Sequence, residues 1–176
     1  MKQEIFGLSL TELQIRLAEM GLKRFRAKQI FSWLYRKCVF DFSAMTNLSL
    51  AERDTLAEYF SILPGEIICL RQLDSADGLT QKLLLQLLDG NTIETVLMHH
   101  DYGYSVCVSS QVGCDMHCAF CASGLNGAVR NLTQTEILAQ VYFFNARLAA
   151  AGQRVSRVDV MGSGEPMLNF DNVFGA

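Results

Sequence analysis

The sequence has two prolines, one tryptophan and three histidines in 176 residues, and only 19% of it is charged. So little proline and charge excludes a proline-rich linker or a self-repelling disordered tail. The 50% apolar content is instead that of a folded chain with a core to bury. Long apolar runs are missing too. LLLQLL at 83–88 is far short of the roughly 18 residues that a membrane-crossing helix needs. The opening MKQEIFGLSL has no apolar stretch of the ~7–15 residues found in a secretory signal. Internal repeats and low-complexity segments are absent as well. A cytosolic setting without a membrane partner is therefore expected, where six cysteines point to metal or catalysis rather than disulfides. The length fits one domain, with at most a small appendage.

The net charge of −3 hides an asymmetry. Residues 1–40 carry eight Lys/Arg against three Glu, a balance of +5, which leaves −8 for the rest. A basic end on an acidic chain suits contact with nucleic acid, and equally suits a solvated helix face. KRFRAK at 23–28 shares that ambiguity.

Three helices are expected first. Ser9 and Glu12 form a capping box, Leu10, Leu13, Leu17 and Met20 follow at helical spacing, and Gly21 supplies the stop. A second helix is expected over 26–37, and a third after the box Ser49 and Glu52, ending before Leu63-Pro64-Gly65. Trp33 and the Phe and Leu side chains here read as core. Beyond that boundary the period changes. Segments 66–73, 79–87 and 92–98 read as strands joined by Asp77-Gly78 and Asp89-Gly90, both hairpin signals. A strand at 104–109 enters a loop crowded with cysteine and glycine. A helix capped by Thr133 and Glu136 and stopped by Gly152 comes next, then the strand RVDVM and Gly162-Ser163-Gly164-Glu165-Pro166. Strand, helix and strand make a βαβ unit of a parallel α/β sheet. One such unit cannot cover both faces of its sheet, so this half reads as unfinished.

Cys114, Cys118 and Cys121 stand as C-x-x-x-C-x-x-C on the loop after a strand. Three thiolates so close in sequence suit one metal centre. Zinc wants a fourth ligand, for which His99, His100 and His117 are available, although His117 lies between two cysteines and would point elsewhere. A cubane iron–sulfur cluster held by three cysteines keeps one iron open to substrate. The spacing favours iron–sulfur and leaves zinc open. Cys38 and Cys69, in apolar stretches, read as small core residues.

These residues carry a resemblance. The cysteine loop resembles that of the radical S-adenosylmethionine superfamily. The run 107–137, with IETVLM before it and MGSGEPMLN after it, is similar to the RlmN/Cfr group, which methylates carbon 2 or carbon 8 of an adenine in RNA. FRAKQIFSWLY resembles that group's accessory domain. The resemblance implies an α/β chain in three parts: a helical RNA-contacting accessory domain at 1–64, an antiparallel β extension at 65–103, and an incomplete radical (β/α) barrel at 104–176 that stops after its second strand. It implies that Cys114, Cys118 and Cys121 ligate a [4Fe–4S] cluster and that Gly164 and Glu165 receive the methionine end of S-adenosylmethionine. Glu94 matches the proton acceptor, and Cys107 a thiol that resolves a covalent intermediate through a transient disulfide. The implied partners are 23S ribosomal RNA or transfer RNA, and a reducing donor such as flavodoxin or ferredoxin. The family's methyl-carrying cysteine near the C-terminus has no counterpart before Ala176, so the chain alone is expected to be inactive. The alternative is a non-catalytic RNA-binding module braced by zinc or a vestigial site.

Overall fold

The computed structural model describes residues 2–176, which fall into two compact units meeting at Gly65 and Glu66. In the first unit, β1 (Gln3–Glu4) pairs in parallel with β2 (Phe60–Ser61). Between them lie α1 (Leu10–Glu19), α2 (Arg26–Phe31) and α3 (Leu50–Tyr59). Both expected capping boxes form. Ser9 and Ser49 accept from the backbone N–H of Glu12 and Glu52, and those carboxylates accept in return from the serine N–H groups. The second helix keeps its expected length but continues from α2 as a π-helical turn over Ser32–Arg36, which widens its last stretch. A short helix, α4 (Leu63–Glu66), crosses the Pro-Gly boundary, since proline fits a helix's first turn.

Leu13, Leu17, Ala27, Ile30 and Leu34 form the core of this unit with Ile5 and Phe6. The aromatic residues only partly follow expectation. Trp33 is half-buried, donates its indole N–H to Asn47 at 2.6 Å and lies under the Lys37 ammonium, while Phe25 is 51% exposed. Cys38 and Cys69 are half-buried rather than core: Cys38 has a left-handed backbone, and Cys69 stands on an edge strand. Within KRFRAK, Arg26 is internal. It bonds Glu52 at 2.8 Å, Gln29 and the Asn47 carbonyl, tying α2 to α3, while Lys23, Arg24 and Lys28 stay exposed.

The second unit is built on one five-stranded sheet. Its strands are β3 (Ile68–Asp74), β4 (Thr80–Gln86), β5 (Thr92–His100) and β6 (Gly103–Cys107), an antiparallel series. β6 then pairs in parallel with a last strand, reached through β7 (Gln111–Gly113), β8 (Ala128–Asn131) and α5 (Gln134–Leu148). That last strand is β9 (Val155–Asp159), followed by α6 (Phe170–Gly175). The meander and the βαβ unit thus share a single sheet. Gly78 and Gly90 take positive φ in the two Asp-Gly turns.

Register assigns the two faces. Leu83 and Leu85 of β4 stand opposite Thr95 and Ile93 of β5, and all four are buried. This is the α5 side, where Arg147 reaches Gln72 and Gln81. Leu84, Glu94, Val96 and Cys107 occupy the other face.

Where β6 ends, two amides replace the ladder. The buried Gln140 side chain accepts from Ser109 N–H at 2.8 Å and donates to its carbonyl at 3.0 Å. Asn169, also buried, donates to the carbonyls of Ser110 and Leu132 at 2.7 and 2.8 Å. Arg130 of β8 forks onto both Glu136 oxygens at 2.8 Å and donates to Asp89 in the β4–β5 turn at 2.7 Å.

Replacing Gln140 with Ala strands both polar groups of Ser109 in a dry site, a loss of about 2–4 kcal/mol. Urea unfolding should show it, and a loss under ~0.5 kcal/mol would contradict the role given to this amide. The Arg130 guanidinium holds the Asp89 carboxyl down at about 2, helped by Asn91. A depressed carboxylate stabilises the fold above its unfolded value near ~3.9, and that contribution fades as pH falls toward about 2. Asp89→Asn should therefore flatten the acid limb of the stability curve below roughly pH 4. Superimposable limbs for parent and variant would refute this.

Candidate functional site

The cysteine loop is fastened at its base. β7 and β8 pair antiparallel, Cys114 N–H donates to the Gly127 carbonyl, and Asp115 accepts from Ala128 N–H at 2.6 Å. These short strands escaped the sequence reading because neither shows more than a few residues of alternation. Gln111 and Asn131, bonded across them at 2.7 Å, were the missed signal. Within the loop, His117 has a left-handed backbone and its Nδ1 lies 3.2 Å from the Gly124 carbonyl. It turns back into the loop. His99 and His100 sit at the end of β5, stacked on Tyr104 and Tyr102.

All six cysteines are free thiols; Cys114 is buried, while Cys118 and Cys121 are exposed. Cys121 N–H donates to the Cys118 carbonyl. Hydrogen bonds from Ser123, with a further one from Gly124, pull the Cys121 thiol below the usual range, which favours the thiolate. Among the described residues, no three His, Cys, Asp or Glu side chains converge on a point that could hold a metal. The donor set nevertheless fits a thiolate-bound centre in its chemistry: three soft, unpaired sulfurs on one anchored loop, one of them predisposed to ionise.

Beyond β6 the backbone is zipped to the segment after β9. Val108 N–H donates to Asp159, Gly162 N–H to Val108, and the N–H groups of Ser110 and Gln111 both reach the Ser163 carbonyl. Gly164 sits so close to this strand that a Cβ on it would lie 2.6 Å from Gln111 Cβ, and its φ is +105°. Only glycine fits there. Glu165 N–H donates to Gln111 Oε1 at 2.9 Å, and its half-buried carboxylate accepts from Met167 N–H at 3.1 Å.

A cleft of about 700 Å³ opens on the sheet face away from α5. Glu94 and Cys107 of the sheet, Cys121 and Ser123 of the cysteine loop, and Gly162 and Ser163 after β9 all line it. Cys114, Cys118, Gly164 and Glu165 are not in its wall; the latter two adjoin the glycine-rich stretch that is. Glu94 bonds Lys82 Nζ at 2.9 Å. Its backbone carbonyl accepts from Ser109 Oγ at 2.7 Å. Burial pushes the Cys107 thiol up; the Met161 N–H opposes this and the nearby Asp159 adds to it. Cys107 therefore rests protonated.

Residues 3–62 match the ribosomal RNA large subunit methyltransferase N-terminal domain. The chain is 51% identical over 168 residues to a probable dual-specificity RNA methyltransferase RlmN of Spiroplasma citri, covering 96% of this chain and 48% of that protein. A counterpart from Staphylococcus aureus (strain bovine RF122 / ET3-1) is 48% identical over 174 residues, covering 99% and 47%. Among solved structures, a radical SAM methyltransferase from Sphaerobacter thermophilus superposes with a TM-score of 0.92 at 41% identity, over 98% of this chain and 50% of that one. The chain spans about half the length of the relatives it matches. By sequence and fold along nearly all of its residues, it belongs to the RlmN group of radical S-adenosylmethionine methyltransferases.

Proposed function

We propose that this chain provides the cluster loop, the cofactor cradle and the proton acceptor of an RNA methyltransferase acting on carbon 2 of adenine in 23S ribosomal RNA and transfer RNA. The observation that carries the reading is the shared cleft. Glu94, Cys107 and Cys121 come from three separate segments, yet they line one cavity beside the Gly162–Glu165 turn. Such convergence of a carboxylate, thiols and a close-approach turn is what chemistry at a bound ring needs.

Cys114, Cys118 and Cys121 would hold a [4Fe–4S] cluster, which when bound supplies the one-electron reduction of S-adenosylmethionine. The remaining work falls to the chain itself. Gly164 lets the cofactor's methionine end lie against the backbone, and Glu165 offers a carboxylate to its ammonium group. Glu94 takes the proton that leaves the substituted ring carbon. Cys107, held as a thiol until needed, frees the product by forming a disulfide with the methyl-carrying thiol. A flavodoxin- or ferredoxin-type donor would deliver the electrons. Lys28 and Arg36 line a hollow of about 300 Å³ with Phe31 in the first unit, a place for RNA phosphates beside an apolar surface. This reading keeps the three-part division at 64/65 and 103/104.

Anaerobic reconstitution with iron and sulfide tests the metal assignment. The parent chain should turn brown and retain stoichiometric iron and sulfide, and Ala at Cys114, Cys118 or Cys121 should abolish retention. A colourless chain that takes up zinc instead would favour the RNA-binding alternative. Binding of the parent chain to unmodified ribosomal RNA should weaken with salt by roughly 0.7 log units per phosphate contact per decade. Lys28→Ala combined with Arg36→Ala should lower that slope by about one to two units, and an unchanged slope would remove this hollow from the interface.

A further inference from the structure

We infer that Lys82 is a positioning residue, which holds the Glu94 carboxylate ionised and fixed at the cleft wall. This rests on the role of Glu94 proposed above and assigns it a partner. Sheet register produces the pair. Glu94 stands opposite Leu84 and Lys82 opposite Val96, so the two side chains are diagonal neighbours on the cleft face of β4 and β5. Their separation is 2.9 Å, from Lys82 Nζ to Glu94 Oε1. Glu94 is pinned at both ends: Ser109 Oγ donates to its carbonyl, and Lys82 holds its carboxylate. Among the described residues, the carboxylate has no other ion-pair partner, which leaves its second oxygen for a ligand in the cleft.

The pair is not there for stability. Its side chains are 42% and 55% exposed, and ion pairs at that exposure contribute little to folding. Its value lies in the filled cleft. An aromatic ring displacing water from beside Glu94 would favour the protonated carboxyl, which could no longer accept a proton. A cation in contact opposes that change. Other charged and titratable groups bear on Glu94 less directly. Arg71 of β3, opposite Leu84, adds a second positive charge on this face; Asp159 of β9, opposite Cys107, opposes both. Cys107 rests as a neutral thiol, and Cys121 lies across the cleft on the loop.

The test is carboxyl-carbon NMR of Glu94 in the metal-free chain, titrated with pH and assigned with Glu94→Gln. In Lys82→Met the Glu94 midpoint should rise by roughly a few tenths of a pH unit to one unit, and Lys82→Arg should restore it. Thermal unfolding should be unchanged within about 2 °C in both variants, which separates positioning from a structural role. An unmoved midpoint in Lys82→Met overturns the inference, as does a rise that Lys82→Arg fails to reverse. Neither outcome depends on iron uptake. A loop that takes up no iron would sink the proposed function and leave this titration as it stands.

Discussion

The second unit depends on how its backbone is satisfied where β6 ends. After Cys107 the chain leaves the antiparallel ladder, yet Val108, Ser109 and Ser110 remain buried with their peptide groups intact. An unpaired peptide group there would cost more than a hydrogen bond normally returns. Gln140 from α5 supplies one amide, Asn169 supplies another, and the Ser163 carbonyl takes two N–H groups. These bonds fix the segment that carries Cys107 into the base of the cysteine loop. They also clamp the glycine turn that follows β9 against it. The cleft exists because both walls hang from one buried set of polar contacts.

Electrostatics then distributes the work. Arg130 gathers the β4–β5 turn, the arm of the cysteine loop and the N-terminus of α5, so the loop's base cannot drift from the sheet. Cys121, at the loop's exposed end, is pushed toward the thiolate, whereas Cys107, against the sheet, is pushed toward the thiol. Neighbouring sulfurs on one cleft are thereby set to opposite charge states, as a metal ligand and a reserve thiol require. In the first unit the same logic sorts cations: Arg26 is consumed by Glu52, and Lys28 and Arg36 are left to face a hollow.

Much of this was legible in one dimension because the signals are local. Three capping boxes, at Ser9, Ser49 and Thr133, begin the helices they announce, and both Asp-Gly pairs turn hairpins. The cysteine spacing located the loop, and the strand-helix-strand pattern gave the parallel pairing of β6 and β9. What escaped was long-range and polar. Gln140 looks like any polar residue on an amphipathic helix, and only the fold brings it against Ser109, 31 positions away. Lys82 and Glu94 meet through register, which a one-residue slip would destroy. Cys38 and Cys69 looked like core because their neighbours are apolar, but strand-edge and turn positions keep them half-exposed.

The central claim is that one cleft, framed by the cysteine loop and the glycine turn, brings cofactor, proton acceptor and resolving thiol together. An anaerobic crystal structure of the iron-loaded chain with S-adenosylmethionine tests it most directly. The account predicts iron held by Cys114, Cys118 and Cys121, the cofactor's methionine end against Gly164 and Glu165, and Glu94 and Cys107 facing the same cavity. Metal held by any other set of residues, or cofactor bound away from that cavity, would contradict it.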